Sequence, residues 1–435
     1  MSFAEEVTVP PADLSSSPIL VRKYGGSSLA SVDRLHTIAR DVRKARDNGY
    51  RMVIVVSAMG QTTDELNQLA LQVHPTPPRR ELDMLLSVGE RITMSLLSMA
   101  LAQEKCPAIS FTGSQCGIIT DTSHSDARII EVRGDRVRDA LAEGYVVVVA
   151  GYQGVSLEKE ITTLGRGGSD TTAVALAAAL HAERCEILKD VDGVLSADPR
   201  CVPEAVQHDR LSWDQMRAVA ESGCGVIHIR AVEYAAQYDV PLVVRSSFHN
   251  GPGTAIGTVG CDDIPSSGRP AEFTPAKTKH CTERESRYRP LVMNVEENIT
   301  RIRLSADECE RGERLRDVVL QYWDPALTIT EWLDYGSGFR WEGLTRQADL
   351  AQLKTELTAT AKADTTWQEG LTCISLSGGR PDSWLEVMRH VATLMNQWGI
   401  TDWHLRADGS SLRILLNGEA NEDLVQGLHK ALLAT

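Results

Sequence analysis

No apolar run in this 435-residue sequence approaches the roughly 18 to 20 consecutive positions that a membrane-spanning helix needs, so no span is expected. Paired cysteines are missing as well. Nine cysteines, at positions 106, 116, 185, 201, 224, 261, 281, 309 and 373, include no C-x-x-C, and an odd number cannot close fully into intrachain bridges. Reduced, structural thiols are the reading. Basic charge is in deficit, with 45 Lys and Arg against 59 Asp and Glu, and a net charge of −14 leaves no electrostatic footprint for nucleic acid or anionic lipid. Small solutes are the expected partners. The first 18 residues carry Glu5, Glu6, Pro10, Pro11 and a serine run, without a basic start and apolar core. Neither a signal nor a transit peptide is expected, and the chain is assigned to the cytoplasm. The Walker signature G-x-x-x-x-G-K-[ST] is also absent.

What is present is globular: 42% hydrophobic and 24% charged residues over a length that exceeds one ordinary core, so two or three domains are expected. Up to about residue 250, β-rich runs (19–24, 51–58, 107–113, 145–154, 185–191, 240–248) alternate with helix candidates (31–48, 80–105, 169–183). This alternation predicts a layered α/β domain with a largely parallel sheet. The segment from Ser169 to Leu180 is too apolar for a surface helix and should be buried against that sheet. From about Asn250 to Arg289 the chain turns to Gly, Pro, Ser, Thr and charge, which marks a boundary. The division expected is a catalytic domain over 18–258, a linker over 259–289 and a second region over 290–435. In that region, two strand-like segments, 291–298 and 299–306, and helix-like 308–323 precede a β-α-β-β-α pattern from Leu371, the start of a ferredoxin-like sandwich.

Four segments suggest chemistry. Lys23-Tyr24-Gly25-Gly26-Ser27-Ser28 ends a strand, where adjacent glycines let amides approach a phosphate and Lys23 adds full charge; alone it is also readable as a tight turn. Gly165-Arg166-Gly167-Gly168-Ser169-Asp170 places an arginine, hydroxyls and a carboxylate before the buried helix, an anion-binding arrangement, although Ser169 or Asp170 as a simple cap is the alternative. Lys189 to Arg200 follows a strand and reads equally as loop punctuation. Glu90, in Ser87-Val88-Gly89-Glu90-Arg91, is by itself a first-turn charge on a helix.

Together and in this order, these segments resemble the aspartate kinase branch of the amino-acid kinase superfamily. Ser57 to Asp64, Gly113-Ser114-Gln115 and Gly151-Tyr152-Gln153-Gly154 add to the resemblance, which is close from about Val21 to Gly257. It implies the amino-acid kinase fold and ATP-dependent phosphorylation of the aspartate side-chain carboxylate, with Mg²⁺ delivered by ATP. It further implies that Lys23 contacts the transferring phosphoryl group and that Asp170 orients this lysine. Arg166, Glu90, Ser169 and Thr62 would hold the amino acid. Tyr24, Gly25, Gly26, Ser27, Lys189, Asp190, Leu195, Ser196, Ala197, Asp198, Pro199 and Arg200 would hold the nucleotide. An aspartate side chain is already ionised near neutral pH, so the absence of a catalytic base is no objection. Two other readings stay open: a relative acting on another amino-acid carboxylate, and a silent amino-acid sensor.

Three departures stand out: Lys189 where the family commonly has Thr, Leu195 where an aromatic is frequent, and Ile229 in place of Pro in His228-Ile229-Arg230. They bear on nucleotide affinity more than on the chemistry. Residues 290–435 resemble the family's paired ACT regulatory domains weakly, through 371–435. The stretch with Trp323, Trp332, Trp341 and residues 343–357 lacks the usual Pro-Gly loop. A degenerate tandem ACT-like region, feedback by lysine or threonine that is weakened, absent or retargeted, and a homodimer formed through this region are the expectations.

Overall fold

The computed structural model describes residues 17–257, 290–306, 331–335, 338–346, 354, 364–379, 384–408 and 411–433. The chain divides into two compact units, each taken by itself. Within the described residues, the first holds everything up to Val194, Asp209–Trp213 and the run from Val226 to Gly257; the second holds Leu195–His208, Asp214–Gly225 and the remainder. The expected catalytic domain was one continuous run, whereas 195–208 and 214–225 group with the C-terminal unit. The helix-like 308–323 lies outside the described residues.

In chain order the elements begin β1 (Ile19–Tyr24), α1 (Val32–Asp47), β2 (Arg51–Val56), α2 (Thr62–Val73), α3 (Arg79–Leu86), α4 (Val88–Gln103), β3 (Ala108–Phe111), β4 (Ile118–Thr120) and β5 (Ile129–Val132). Next come α5 (Asp135–Ala142), β6 (Val146–Ala150), β7 (Gln153–Ser156), β8 (Ile161–Thr163), α6 (Gly168–Ala179), β9 (Arg184–Lys189) and β10 (Arg210–Leu211). The list to residue 256 closes with α7 (Trp213–Glu221), α8 (Ile229–Gln237), β11 (Leu242–Ser246) and β12 (Thr254–Ile256).

The first unit is built on an eight-stranded sheet, ordered β10-β12-β11-β9-β1-β2-β6-β3. From β11 through β3 every neighbouring pair is parallel. These strands are runs of Val, Ile and Leu because both faces are covered. On one face Leu20, Tyr24, Met52, Ile54, Val56, Val146 and Val148 join Leu35, Ile38, Val42, Leu97 and Leu101 of α1 and α4 in one core. On the other face lies α6, whose residues 168–177 are all buried, as its composition predicts. Burying each Val or Leu of such a helix contributes about 1.5–3 kcal/mol.

β1 lies between β2 and β9, so the chain leaves it in one direction through α1 and returns on its other side through α6. Strand order reverses there, and in open α/β sheets the crevice beyond the strand C-termini at such a point receives ligands. Lys23 and Gly25 stand at that end of β1.

A smaller sheet, β5-β4-β7-β8, carries the hairpin that leads into α6. The single expected strand 145–154 is split between the two sheets, because Tyr152 takes a positive φ of 69° and turns the chain between β6 and β7. The helical run Arg79–Gln103, 25 residues, is long and apolar enough to cross a bilayer, contrary to the expectation of no such stretch. Half of its most apolar window is buried in the protein, and Met94, Leu97, Ala100 and Leu101 lie in the core described above, which makes it a core helix.

The second unit has a six-stranded antiparallel sheet made of β13 (Val292–Ala306), β14 (Glu331–Tyr335), β15 (Gly338–Arg346), β16 (Asp364–Ser377), β17 (Trp403–Asp408) and β18 (Ser411–Asn417). Their order is β14-β15-β13-β16-β18-β17. Two helices, α9 (Trp384–Gln397) and α10 (Glu422–Leu432), place Trp384, Val391, Met395, Leu424 and Leu428 against Met293, Ile374, Leu412 and Ile414 of the sheet. The β-α-β-β-α order from Leu371 is the one the sequence predicts.

Candidate active site

Alternation along β1 sends Arg22 and Tyr24 to the α1 face and Lys23 to the α6 face. Lys23 is 5% exposed, and its Nζ lies 2.6 Å from Asp170 Oδ1 at the start of α6. Lys189, at the end of β9, reaches the other oxygen of the same carboxylate, Nζ to Oδ2 3.3 Å. One buried anion therefore serves two cations. Burial by itself would raise the Asp170 pKa, but Lys189 and Lys23 with their hydrogen bonds outweigh it and hold the carboxyl well below its usual range. Burial lowers the Lys23 pKa, partly offset by Asp170, while Lys189 pushes the same way as burial. Asp170 is thus no mere helix cap: the α6 N-terminus has no side-chain cap bond.

Gly25 closes the floor between the lysines. Its N–H donates to Leu188 O at 3.1 Å, and a Cβ there would sit 3.9 Å from both Lys23 Nζ and Lys189 Cγ. At Gly26 a Cβ would lie 3.0 Å from Ala58 O and 3.1 Å from Gly60 O, so the 58–60 loop closes on the turn only because no side chain is present. Ser27 is exposed at the start of a short 3-10 turn, Ser27–Leu29. The Tyr24 phenol lies on the opposite face of the sheet, 3.3 Å from Asp41 Oδ2.

Glu90 enters from the first turn of α4 and is 3% exposed. Its Oε1 accepts the Ala58 N–H at 3.1 Å, while Oε2 is buried without a hydrogen-bond partner. Burial pushes its pKa up to about 7, against the hydrogen bonds and the nearby Lys23 charge. A buried carboxylate with an open oxygen is suited to receive a cation such as an ammonium group. Thr62 is placed beside it through Gly89, where a Cβ would lie 2.7 Å from Ala58 Cβ and 3.8 Å from Thr62 Cγ2. Ser169 lies over Gly151, next to the end of β2: a Cβ on that glycine would meet Ser169 Oγ at 2.9 Å and Val56 O at 2.9 Å.

Arg166 is exposed on the loop between β8 and α6. Gly167 turns that loop at φ +69°, where a Cβ would run into His228 Cβ at 2.1 Å. Arg230, two residues on, donates to Leu164 O at 3.2 Å and pairs with Asp126 at 2.7 Å, so α8 holds the loop from outside. Ile229 occupies the first position of α8, where proline is tolerated because its missing N–H has no helical partner, and the exchange leaves the helix start intact with His228 as its cap.

Lys23, Gly25, Gly26, Lys189, Asp170, Ser169, Glu90 and Thr62 are thus linked around the C-terminal ends of β1, β2 and β9. Asp190 is exposed just beyond β9. Leu195 to Arg200 belong to the second unit, where Ala197 packs in the hydrophobic core, Ser196 Oγ lies 2.9 Å from His429 Nε2, and Asp198 and Arg200 pair with each other. Among the described residues, no group of three His, Cys, Asp or Glu is positioned for a metal ion.

Two buried polar networks escaped the sequence reading. Glu186 is clasped by Arg22, Arg184 and Arg245 at 2.8 to 2.9 Å on the α1 face; burial opposes ionisation there, but the three guanidinium groups hold its carboxyl well below the usual range. The signal was present, since these four charges sit on alternating positions of apolar strands. The second network centres on the buried Asp83, which Thr163 and His124 bind.

Residues 18–246 match the model of the amino acid kinase family. The chain belongs to that family. Amino acid kinase family relatives include an aspartokinase of Corynebacterium glutamicum, 52% identical over 248 residues, which make up 57% of this chain and 59% of the relative. An aspartokinase of Thermus thermophilus is 50% identical over 244 residues, 56% of this chain and 60% of that one. The matched region thus spans about three fifths of the length of these curated relatives. Among solved structures, the aspartate kinase from Synechocystis is 32% identical with a TM-score of 0.51, covering 95% of this chain and 68% of its own. E. coli aspartokinase III, solved with aspartate and ADP, shares the fold at a TM-score of 0.72 and 22% identity, over 95% of this chain and 99% of its own.

Proposed function

We propose that the first unit is an aspartate kinase: it transfers the γ-phosphoryl group of ATP to the side-chain carboxylate of L-aspartate, giving 4-phospho-L-aspartate. The observation that carries this reading is the Lys23–Asp170–Lys189 cluster, two ammonium groups on one buried carboxylate beside the glycine turn at the sheet's switch point. The surplus positive charge suits a polyphosphate tail, and the lysines form its cradle, with close approach allowed by the missing side chains at Gly25 and Gly26. Mg²⁺ enters on ATP as part of the substrate and neutralises phosphate charge. Ser27, Asp190 and, through its backbone, Tyr24 are the remaining nucleotide contacts proposed from this unit.

Glu90, through its open oxygen, takes the substrate ammonium, with Ser169 and Thr62 beside it, and Arg166 takes the α-carboxylate. One carboxylate oxygen attacks phosphorus, an O–P bond forms, the bond to ADP breaks, and no proton needs to move. The residues align two anions that repel each other and compensate their charge. The identity to aspartokinases over this unit supports aspartate as the acceptor. The reading extends to a cytoplasmic enzyme opening lysine, threonine and methionine biosynthesis, with residues 290–435 as a degenerate tandem ACT-like region through which it forms a homodimer.

The test is incubation with MgATP, hydroxylamine and a panel of amino acids, since an acyl phosphate is trapped as a coloured hydroxamate. Signal with aspartate, lost in Lys23→Met, is the expected result. Signal only with a different acid, or none with any, refutes the assignment.

A further inference from the structure

The helical run that carries Glu90 and the hairpin that leads to Arg166 are fastened together at one rung. Gln153 and Thr163 face each other directly in the β7–β8 register. Both are buried, and both bond to the helices. Gln153 Nε2 donates to Ser87 O at the α3–α4 junction at 2.8 Å, and Arg91 Nε donates back to Gln153 Oε1 at 3.4 Å. Thr163 Oγ1 donates to Asp83 Oδ1 at 2.6 Å. Asp83 is fully buried, and its remaining capacity is taken by His124 Nδ1 at 2.7 Å and the Ser125 N–H at 3.0 Å.

The offsets from this rung are equal. Glu90 is three residues beyond Ser87 in a helix, and Arg166 is three residues beyond Thr163 on the loop that Gly167 and Arg230 hold. A helix does not stretch, so Glu90 moves with Ser87, while Arg166 follows Thr163 along a loop held at Leu164 O by Arg230; the Gln153 and Thr163 bonds couple these two segments. None of these bonds involves Lys23, Asp170 or Lys189.

We infer that Asp83, Gln153 and Thr163 are positioning residues that fix the distance between Glu90 and Arg166, and thereby set affinity and length selectivity for the amino acid without touching the nucleotide half. This rests on the roles of Glu90 and Arg166 proposed above. A network serving stability alone would lower the melting temperature and move both substrates together or neither.

Steady-state kinetics with aspartate and MgATP varied separately distinguish the cases. Thr163→Val keeps the shape and removes the donor, Thr163→Ser keeps the hydroxyl, and Gln153→Met removes both polar atoms at similar length. The expected result is a rise of about 10-fold or more in KM for aspartate in Thr163→Val and Gln153→Met, with KM for ATP within about 2-fold, near-wild-type values in Thr163→Ser, and increased use of glutamate relative to aspartate. An unchanged KM for aspartate in folded Thr163→Val and Gln153→Met, or Thr163→Ser as impaired as Thr163→Val, overturns the inference while leaving the proposed function standing. A wild-type protein that turns over MgATP with no amino acid overturns both.

Discussion

Replacing Asp170 by asparagine removes the single anion between two cations and leaves the volume almost unchanged. Lys23, 5% exposed, then faces Lys189 with no opposing carboxylate. Taking one partner from a buried ion pair costs about 3–5 kcal/mol, because the remaining charge is desolvated and unpaired. Lys23 responds by losing its proton more easily, since burial and Lys189 already lower its pKa and Asp170 is the main opposing influence. A lysine whose folded pKa lies below 10.5 binds fewer protons folded than unfolded in the window between the two values, so stability rises with pH across that window. The Asp170→Asn variant should therefore regain stability as pH rises toward 10. The wild type should instead lose stability below about pH 4, as Asp170 is protonated in the unfolded state while its folded pKa lies lower. Hydrogen exchange of peptides from β1 and β9 is the assay, because these strands belong to the core of this unit alone. Where their exchange requires global opening, 3–5 kcal/mol corresponds to about two to nearly four powers of ten in rate. Unchanged exchange at neutral pH in a folded variant would refute the claim that Asp170 balances two buried cations.

Three other perturbations separate the parts of the site. Lys189→Met should raise KM for ATP by about 10-fold or more with KM for aspartate nearly constant, and ATP titration of the folded variant reads this directly. Glu90, with its pKa pushed up to about 7 by burial, should make KM for aspartate fall as pH rises through 7, and Glu90→Gln should raise that KM and abolish the dependence. Because its folded pKa lies above 4.5, Glu90 also makes stability fall as pH rises from about 4.5 to 7, by at most about 3 kcal/mol, a slope absent from Glu90→Gln in denaturant titrations. Gly167→Ala forces a Cβ to within 2.1 Å of His228 in a backbone region that already costs about 1–2 kcal/mol, so the Arg166 loop must shift. KM for aspartate should rise more than KM for ATP, and equal effects on both would speak against the loop's role.

Much of this architecture was legible in the residues because the central strands are short runs of β-branched side chains covered on both faces, and because α6 is too apolar to be exposed. The limits were equally physical. Ser87 ends α3 without a proline or a helix-breaking turn to mark it, so two helices read as one. The Gly151-Tyr152 turn is hidden within an unbroken β-rich run, since its decisive feature is a positive φ at a tyrosine. α2 has no buried residue, which weakens the apolar stripe that would announce it. Within the site, the resemblance paired Lys23 with Asp170, and that pair is present. That Lys189 shares Asp170 depends on the β1–β9 register, which no local pattern encodes. Ala197 packs in a core with Met293, Ile374 and Leu428 of the second unit, distant in the chain and so invisible to local reading.

The central claim is that a substrate carboxylate oxygen attacks the γ-phosphorus while the paired lysines hold the nucleotide. Aspartate labelled with ¹⁸O in its side-chain carboxylate, incubated with MgATP and hydroxylamine, tests it most directly. Hydroxylamine cleaves the acyl carbon–oxygen bond, so the released phosphate should carry a single labelled oxygen, seen by ³¹P NMR, and should do so only when Lys23 is intact. Unlabelled phosphate would mean that water, and not the amino acid, is the acceptor, and would contradict the account.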